Sequence, residues 1–405
     1  MSEKVPSSTT GIEPLIQNGH LHGKPTLYQS ETKSKTIYDR TIDYLEGKYK
    51  IRFNVIALEL EICLKDSASE WTSLNINSLL IELAQSGIEI NMNKLEILVK
   101  SHLIQQYNPI REYFENLETW DGENYIKNLC QYLKTNDDEA FLYHFEKWLT
   151  RAVLCSLNKG YVNKQSLVLA SHQNSGKSYF LRFLIPPKLE NYYTENISID
   201  KDGIISICKN LICNLDELAV LSKSDVNTLK SFISKSSANI RLPYARKAEF
   251  LERICSFVGS TNRTDFLTDE TGSIRWLIFE VYSFDFNYSK EININQVWAQ
   301  AYYNAYERKN YNPELTATDI TENEKRNEKY AQVSMEQELI SAHFEKSEKI
   351  EEFLTATDIM LAMNNALGLR LNNIKIGKAL TSLKYQRIKH PKLQVYGYLI
   401  KRKSE

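Results

Sequence analysis

One passage constrains this chain more than any other. The apolar run Ser166-Leu167-Val168-Leu169-Ala170 leads through Ser171-His172-Gln173-Asn174 into Ser175-Gly176-Lys177-Ser178, and then into Tyr179-Phe180-Leu181-Arg182-Phe183-Leu184. The first run reads as a buried strand and the last as a helix. A strand turning into a helix through a polar loop is a building unit of α/β sheets. The closing Gly-Lys-Ser is how a phosphate-binding loop ends: backbone N–H groups aim at a polyphosphate, and the start of the helix adds its positive end. In such a loop Lys177 reaches the β- and γ-phosphates and Ser178 ligates Mg²⁺, while Gln173, Asn174, Ser175 and Gly176 line the nucleotide. The usual pattern opens on glycine, and here that position is Ser171.

Two further apolar runs end in chemistry that such a loop would need. Leu211-Ile212-Cys213-Asn214-Leu215 delivers Asp216 and Glu217 to a strand tip. There Asp216 is expected to hold Mg²⁺, and Glu217 to orient and activate an attacking water. Ile254-Cys255-Ser256-Phe257-Val258-Gly259 ends in Ser260-Thr261-Asn262. A polar tip on a strand between the acidic and phosphate strands can sense the γ-phosphate, a role expected of Asn262. Asp269-Glu270-Thr271-Gly272 then reads as a tight turn before a fourth apolar strand that begins at Arg275. An arginine there could stabilise transition-state charge in its own subunit or across an interface. The plain structural alternatives are a buried strand followed by a capped helix at Asp216-Glu217, a turn start at Asn262, and a strand-edge surface arginine at Arg275.

Around this core the chain divides by texture. Residues 1–35, rich in Ser, Thr, Gly and Pro, are expected to be disordered or a linker. Residues 36–160 read as a mainly helical domain that includes an alternating strand pair over 51–61. Residues 161–286 form the α/β core, 287–350 a charged helical extension, and 351–405 a helix, a turn, a helix and a β-hairpin. The six cysteines are scattered with no Cys-x-x-Cys pair, which suits reduced core thiols and argues against a zinc site. No apolar run is long enough to span a bilayer and no signal-peptide core is present, so a cytoplasmic location and no membrane partner are expected.

Net charge is −1, so contact with nucleic acid must rest on a local patch. One lies between the Asp216 and Asn262 strands, where Lys230, Lys235, Arg241, Arg246, Lys247 and Arg253 surround Tyr244. Basic residues interleaved with an aromatic suit a DNA backbone; a solvated face, or phosphate sensing at the nucleotide, are the rival readings. Lys230, Arg241, Arg246 and Lys247 are the DNA-binding candidates. The C-terminal block, with Lys375 and Lys378 on its second helix and a basic hairpin after it, has the outline of a winged helix.

Taken together, the order and spacing of these pieces resemble the virulence-associated protein E family of phages and mobile elements. The resemblance runs over roughly residues 36–285. Its markers are Tyr107-Asn108-Pro109, Trp120-Asp121-Gly122, the loop over 173–178, Asp216-Glu217-Leu218, Leu229-Lys230-Ser231-Phe232-Ile233-Ser234, Arg241-Leu242-Pro243-Tyr244, Ser260-Thr261-Asn262, Asp269-Glu270-Thr271-Gly272 and Arg275-Trp276. The basic C-terminal block is similar to a domain appended to family members from Bacteroides-like bacteria. The family looks like superfamily-3 helicases and related ring-forming ATPases. The resemblance therefore implies a P-loop ATPase core that hydrolyses ATP with Mg²⁺, assembles as a homo-oligomer, with a hexameric ring expected, and acts on single-stranded or forked DNA. It implies Lys177 and Ser178 on nucleotide and metal, Asp216 and Glu217 as the acid pair, Asn262 as sensor and Arg275 as finger. The chain departs from the family where glycine gives way to Ser171 and Asn174, and where Asn214 stands in place of an acid. Asn174 tolerates a left-handed backbone and can keep the loop's shape. No primase-like segment precedes residue 36, so priming is expected from a separate primase chain. The alternative is a nucleotide-binding switch or interaction module with little turnover that recruits DNA or a partner, and a defence or regulatory ATPase is a third.

Overall fold

In the computed structural model the described residues are 34–65, 70–195, 197–198, 200–216, 218, 223–241, 248–262, 267, 274–330 and 333–403. They form two compact units: one holds residues up to Ile51 together with Ile62–Ile104, the other Arg52–Glu61 together with Gln105 onward. Several expectations fall outside the described residues, namely most of the 1–35 segment, Glu217, Arg246, Lys247 and the turn over 269–272.

The first unit is built on helices Ile37–Lys48, Ile76–Gln85 and Met92–Val99. Thr36 and Asp39 close a reciprocal capping box at the start of the first. Leu79, Leu83, Leu95, Leu98 and Val99 are buried. The Glu82 carboxylate gathers Tyr44, Lys48 and Tyr49.

In the second unit, six strands make one sheet: β1 Leu133–Thr135, β2 Ser166–Ala170, β3 Tyr193–Glu195, β4 Ile212–Leu215, β7 Ser256–Thr261 and β8 Trp276–Phe284. Between β4 and β7 in the chain, β5 Ser237–Ile240 and β6 Glu249–Glu252 pair as a separate antiparallel hairpin. The order across the sheet is β1-β8-β2-β7-β4-β3. All pairings are parallel except the edge contact of β1 with β8. Every residue of β2, β4 and β7 is buried, as expected for parallel strands covered on both faces.

The two-residue period of the strands divides their side chains between two cores. Leu167, Leu169, Ile212, Val258, Leu277 and Phe279 join one core with helices α1 Asp138–Leu157, α2 Lys177–Phe183 and α5 Ile294–Tyr306. Val168, Ala170, Cys213, Leu215, Phe257, Trp276 and Ile278 join the other with α3 Lys201–Lys209 and α4 Lys223–Ser234. The molecule is thus a mixed α/β protein whose parallel sheet carries helices on both faces.

One difference from the sequence reading has a plain cause. The edge strands β1 and β3 are three residues long, too short for a periodic signal, and were not expected. In the segment 287–350, read as charged and helical with Trp298, Tyr302, Tyr303 and Tyr306 on a packing face, Trp298 is buried in the core beneath the sheet and polar side chains pack inward as well. Trp298 donates its indole N–H to the Leu184 carbonyl at 2.8 Å. In α6, Ala317–Asn327, the Asn323 and Asn327 side chains both donate to the Trp276 carbonyl, at 2.9 and 2.7 Å. Lys147 and Asp319 form a buried ion pair at 3.1 Å. Those polar groups face inward, and composition alone cannot tell that from a solvated face.

The C-terminal block consists of α7 Met335–His343, α8 Ala356–Leu367 and α9 Asn373–Ser382 with four strands. Strand β12, Tyr396–Arg402, pairs antiparallel with β9 Phe344–Lys346, β10 Phe353–Leu354 and β11 Arg387–Lys389. Ile340, Ile359, Met363, Ile376, Leu380 and Ile400 form its core. Part of its basic charge is tied down: Lys375 pairs with Glu336 at 3.8 Å, Lys401 with Glu345 at 2.9 Å, and Lys403 donates to the Ser341 carbonyl.

Candidate nucleotide site

The parallel register brings three strand ends to one edge of the sheet. Ala170 of β2 lies opposite Thr261 of β7, and Leu215 of β4 opposite Gly259. The segments that follow β2, β4 and β7, starting at Ser171, Asp216 and Asn262, therefore leave from the same side, with the strand of Asn262 between the other two. The Ser171 N–H donates to the Thr261 carbonyl at 3.1 Å and fixes where the loop departs.

The loop over 171–176 turns through two left-handed residues, Asn174 at φ +59° and Gly176 at φ +108°. Asn174 thus takes the conformation that glycine would otherwise supply. At Gly176 a Cβ would lie 2.7 Å from the Phe286 ring, which would have to shift, and the left-handed backbone itself favours glycine. The loop closes on Lys177, which is 7% exposed. Its ammonium donates to the carbonyls of Ser171 at 3.0 Å and His172 at 2.8 Å, with the Ser171 and Ser175 hydroxyls at 3.2 and 3.4 Å. The two hydroxyls also hydrogen-bond each other across the loop. Burial holds the Lys177 ammonium below its ordinary pKa, opposed by the charge of Asp216.

One residue further on, the Ser178 hydroxyl lies 3.5 Å from Asp216 Oδ1, and the Ser260 hydroxyl hydrogen-bonds the same oxygen. A serine hydroxyl beside a carboxylate is the hard-oxygen set that Mg²⁺ takes, so Ser178 and Asp216 fit the metal. Ser260 belongs to the polar tip read from the sequence, which gave a role there only to Asn262. It stands two positions before Asn262, inside β7 and buried. Gln173 and Asn262 are exposed beside this group.

A family model for the virulence-associated protein E-like domain matches residues 114–334, over half of the chain and all of the central sheet. The chain belongs to the virulence-associated protein E-like family. No curated protein matches it. Among solved structures, the apo structure of the NrS-1 C-terminal region (305–718) is similar, with a TM-score of 0.52 at 14% identity, covering 91% of this chain and 100% of that one. The A-form apo structure of the same region gives 0.49 at 14% identity, over 90% and 98%. At that identity the likeness to the first is one of fold.

The remaining candidates of this virulence-associated protein E-like chain lie elsewhere. Arg275 precedes β8, whose Trp276 is in register with Ser166 at the start of β2. It therefore sits at the opposite end of the sheet from the loop, about 13 Å of strand away. There its Nε donates to the Ser234 hydroxyl at 3.2 Å. Within its own protomer it does not face the loop, which removes the own-subunit form of the finger reading. Arg241 is exposed directly after β5, and Lys230 is half-buried on α4. Arg253, counted above in the basic patch, is 2% exposed. Its guanidinium donates to the carbonyls of Phe232, Ile233, Cys255 and Asn163, the first two in the last turn of α4. It is a buried helix-end cap, and so withdrawn from any nucleic-acid surface. Among the described residues no helix is long and apolar enough to cross a membrane.

Proposed function

We propose that this protein binds and hydrolyses ATP with Mg²⁺ at the loop Gln173–Ser178 through a P-loop ATPase core, and that it acts on DNA as a ring-forming helicase-type ATPase of a phage or mobile element. One observation carries the reading: Lys177, Ser178, Asp216 and Ser260 converge at one edge of a parallel sheet, with the strand of Asn262 between the loop strand and the acid strand. Family membership supports it.

On this reading the Lys177 ammonium leaves the Ser171 and His172 carbonyls for phosphate oxygens. Ser178 and Asp216 hold Mg²⁺, which when bound neutralises phosphate charge. Glu217 takes a proton from the attacking water and Asn262 orients it. Arg275, at the far end of the sheet, would serve only a neighbouring protomer's site, as a hexameric ring would allow. Lys230, Arg241, Arg246 and Lys247 would contact single-stranded or forked DNA, with the C-terminal block as a winged-helix-like second contact.

The Ser171–Ser175 hydroxyl contact and the engaged Lys177 favour a second reading, a nucleotide-binding switch with little turnover. Steady-state phosphate release, with and without single-stranded DNA, separates the two. The wild type is expected to turn over and Lys177→Ala to lose 10³-fold or roughly that. Undiminished release by Lys177→Ala would remove the assignment; nucleotide binding without release in the wild type would leave the switch.

A further inference from the structure

Tyr179 and Phe286 stand out on the surface beside the loop. Tyr179 is 57% exposed and Phe286 50% exposed, although neighbouring aromatics such as Phe180 and Tyr288 are fully buried. Their rings meet at 6.1 Å with a 62° tilt, and Phe286 stacks on Phe284 at 6.4 Å and 26°. Tyr288 backs both, at 6.3 and 6.4 Å. The pair is thus a braced ledge of two rings, open to solvent on one side. Its place is set by the sheet: Phe286 follows β8, which runs parallel to β2 and ends on the loop side, and Tyr179 is the residue after Ser178. The Phe286 ring lies over Gly176, where a Cβ would meet it at 2.7 Å.

We propose that this ledge receives the nucleobase of the bound nucleoside triphosphate by stacking. The inference rests on the phosphate reading of the loop and adds the base subsite to it. Every base has a π-face, and an exposed aromatic ring next to a phosphate site offers it a flat, apolar seat that needs no hydrogen-bond partner. A phosphate chain held at Lys177 and Ser178 leaves the rest of the nucleotide to lie along this end of the loop, beside the Tyr179 and Phe286 rings.

The experiment uses the full chain and two ligands, ATP and inorganic tripolyphosphate, each with Mg²⁺, in calorimetric titrations. Tyr179→Ala/Phe286→Ala is expected to weaken ATP by roughly 5- to 150-fold, the range for one base on an aromatic platform. Tripolyphosphate affinity should stay within about twofold, which also reports that the loop is folded. Tyr179→Leu/Phe286→Leu, which keeps apolar volume without a π-face, should follow the alanine variant in direction. An unchanged ratio of ATP to tripolyphosphate affinity overturns the base subsite. A wild type that binds neither ligand overturns the phosphate reading itself, and the two failures are distinct.

Discussion

Ser171→Ala tests how the loop's departure from the glycine-rich pattern acts. In the structure the Ser171 hydroxyl does two things: it hydrogen-bonds Ser175 across the loop, and it lies 3.2 Å from the Lys177 ammonium. Both tie the ammonium to the loop that it must leave to meet a phosphate. Removing the hydroxyl keeps the two shorter bonds to the Ser171 and His172 carbonyls, at 3.0 and 2.8 Å. The loss is therefore the hydroxyl contact with Ser175 and one long hydrogen bond from the ammonium, of which the latter, the direct hold on Lys177, is about 1 kcal/mol. If that hold competes with nucleotide, releasing it tightens Mg²⁺·ATP binding by about fivefold. Ser171→Gly should tighten it at least as much, since glycine also frees the backbone. The assay is titration calorimetry of full-length protein with Mg²⁺·ATP. Weaker binding by Ser171→Ala, or no change, would refute the competition and make the hydroxyl a ligand for the nucleotide or a bystander.

Two further predictions concern the scaffold. His144, buried beside Phe279, is held neutral down to about pH 4 by burial and by the positive charges of Arg326, Arg151 and Lys147, against Asp319. The unfolded chain takes up that proton below about pH 6.5, so His144 costs stability progressively as pH falls from 6.5 to 4, by up to about 3 kcal/mol. Urea midpoints at pH 7 and 4.5 should therefore fall further for the wild type than for His144→Phe; equal falls would contradict the neutral assignment. Arg253→Met removes the donors that satisfy the Phe232, Ile233 and Asn163 carbonyls, and should cost about 3 kcal/mol or more in denaturant unfolding. A loss under about 1 kcal/mol would return Arg253 to the surface.

The strands were legible because each is an apolar run with a polar end. Ser166–Ala170, Ile212–Leu215 and Ser256–Thr261 need no partner to be recognised, and neither do the chemical groups at their tips. Their order in the sheet was not legible, because parallel neighbours are set by packing between residues far apart in sequence. That order decides which groups meet: it brings Ser178 and Ser260 to Asp216 and leaves Arg275 at the other end. Charge was the least transparent signal. Arg253 read as part of an exposed basic patch, yet it is buried on backbone carbonyls, as Lys147 is on a carbonyl and a carboxylate, and only the fold supplies their positions. Tyr179 and Phe286 carried the opposite ambiguity, since an aromatic beside a strand reads as core until its exposure is known.

The sheet order has a consequence for biosynthesis. Among the described residues the loop strand Ser166–Ala170 pairs with Ser256–Thr261 and Trp276–Phe284, which leave the ribosome about ninety residues later or more. Until then its apolar face and its backbone have no sheet to join. The last central strand must slide between two that are already made, β1 and β2, before the loop edge exists at all. A chain cut short between the loop and that strand carries all the residues of the loop together with an open, sticky edge. Nascent chains of this protein should accordingly need holding through that interval, and truncations between about 178 and 284 should aggregate where the full chain does not.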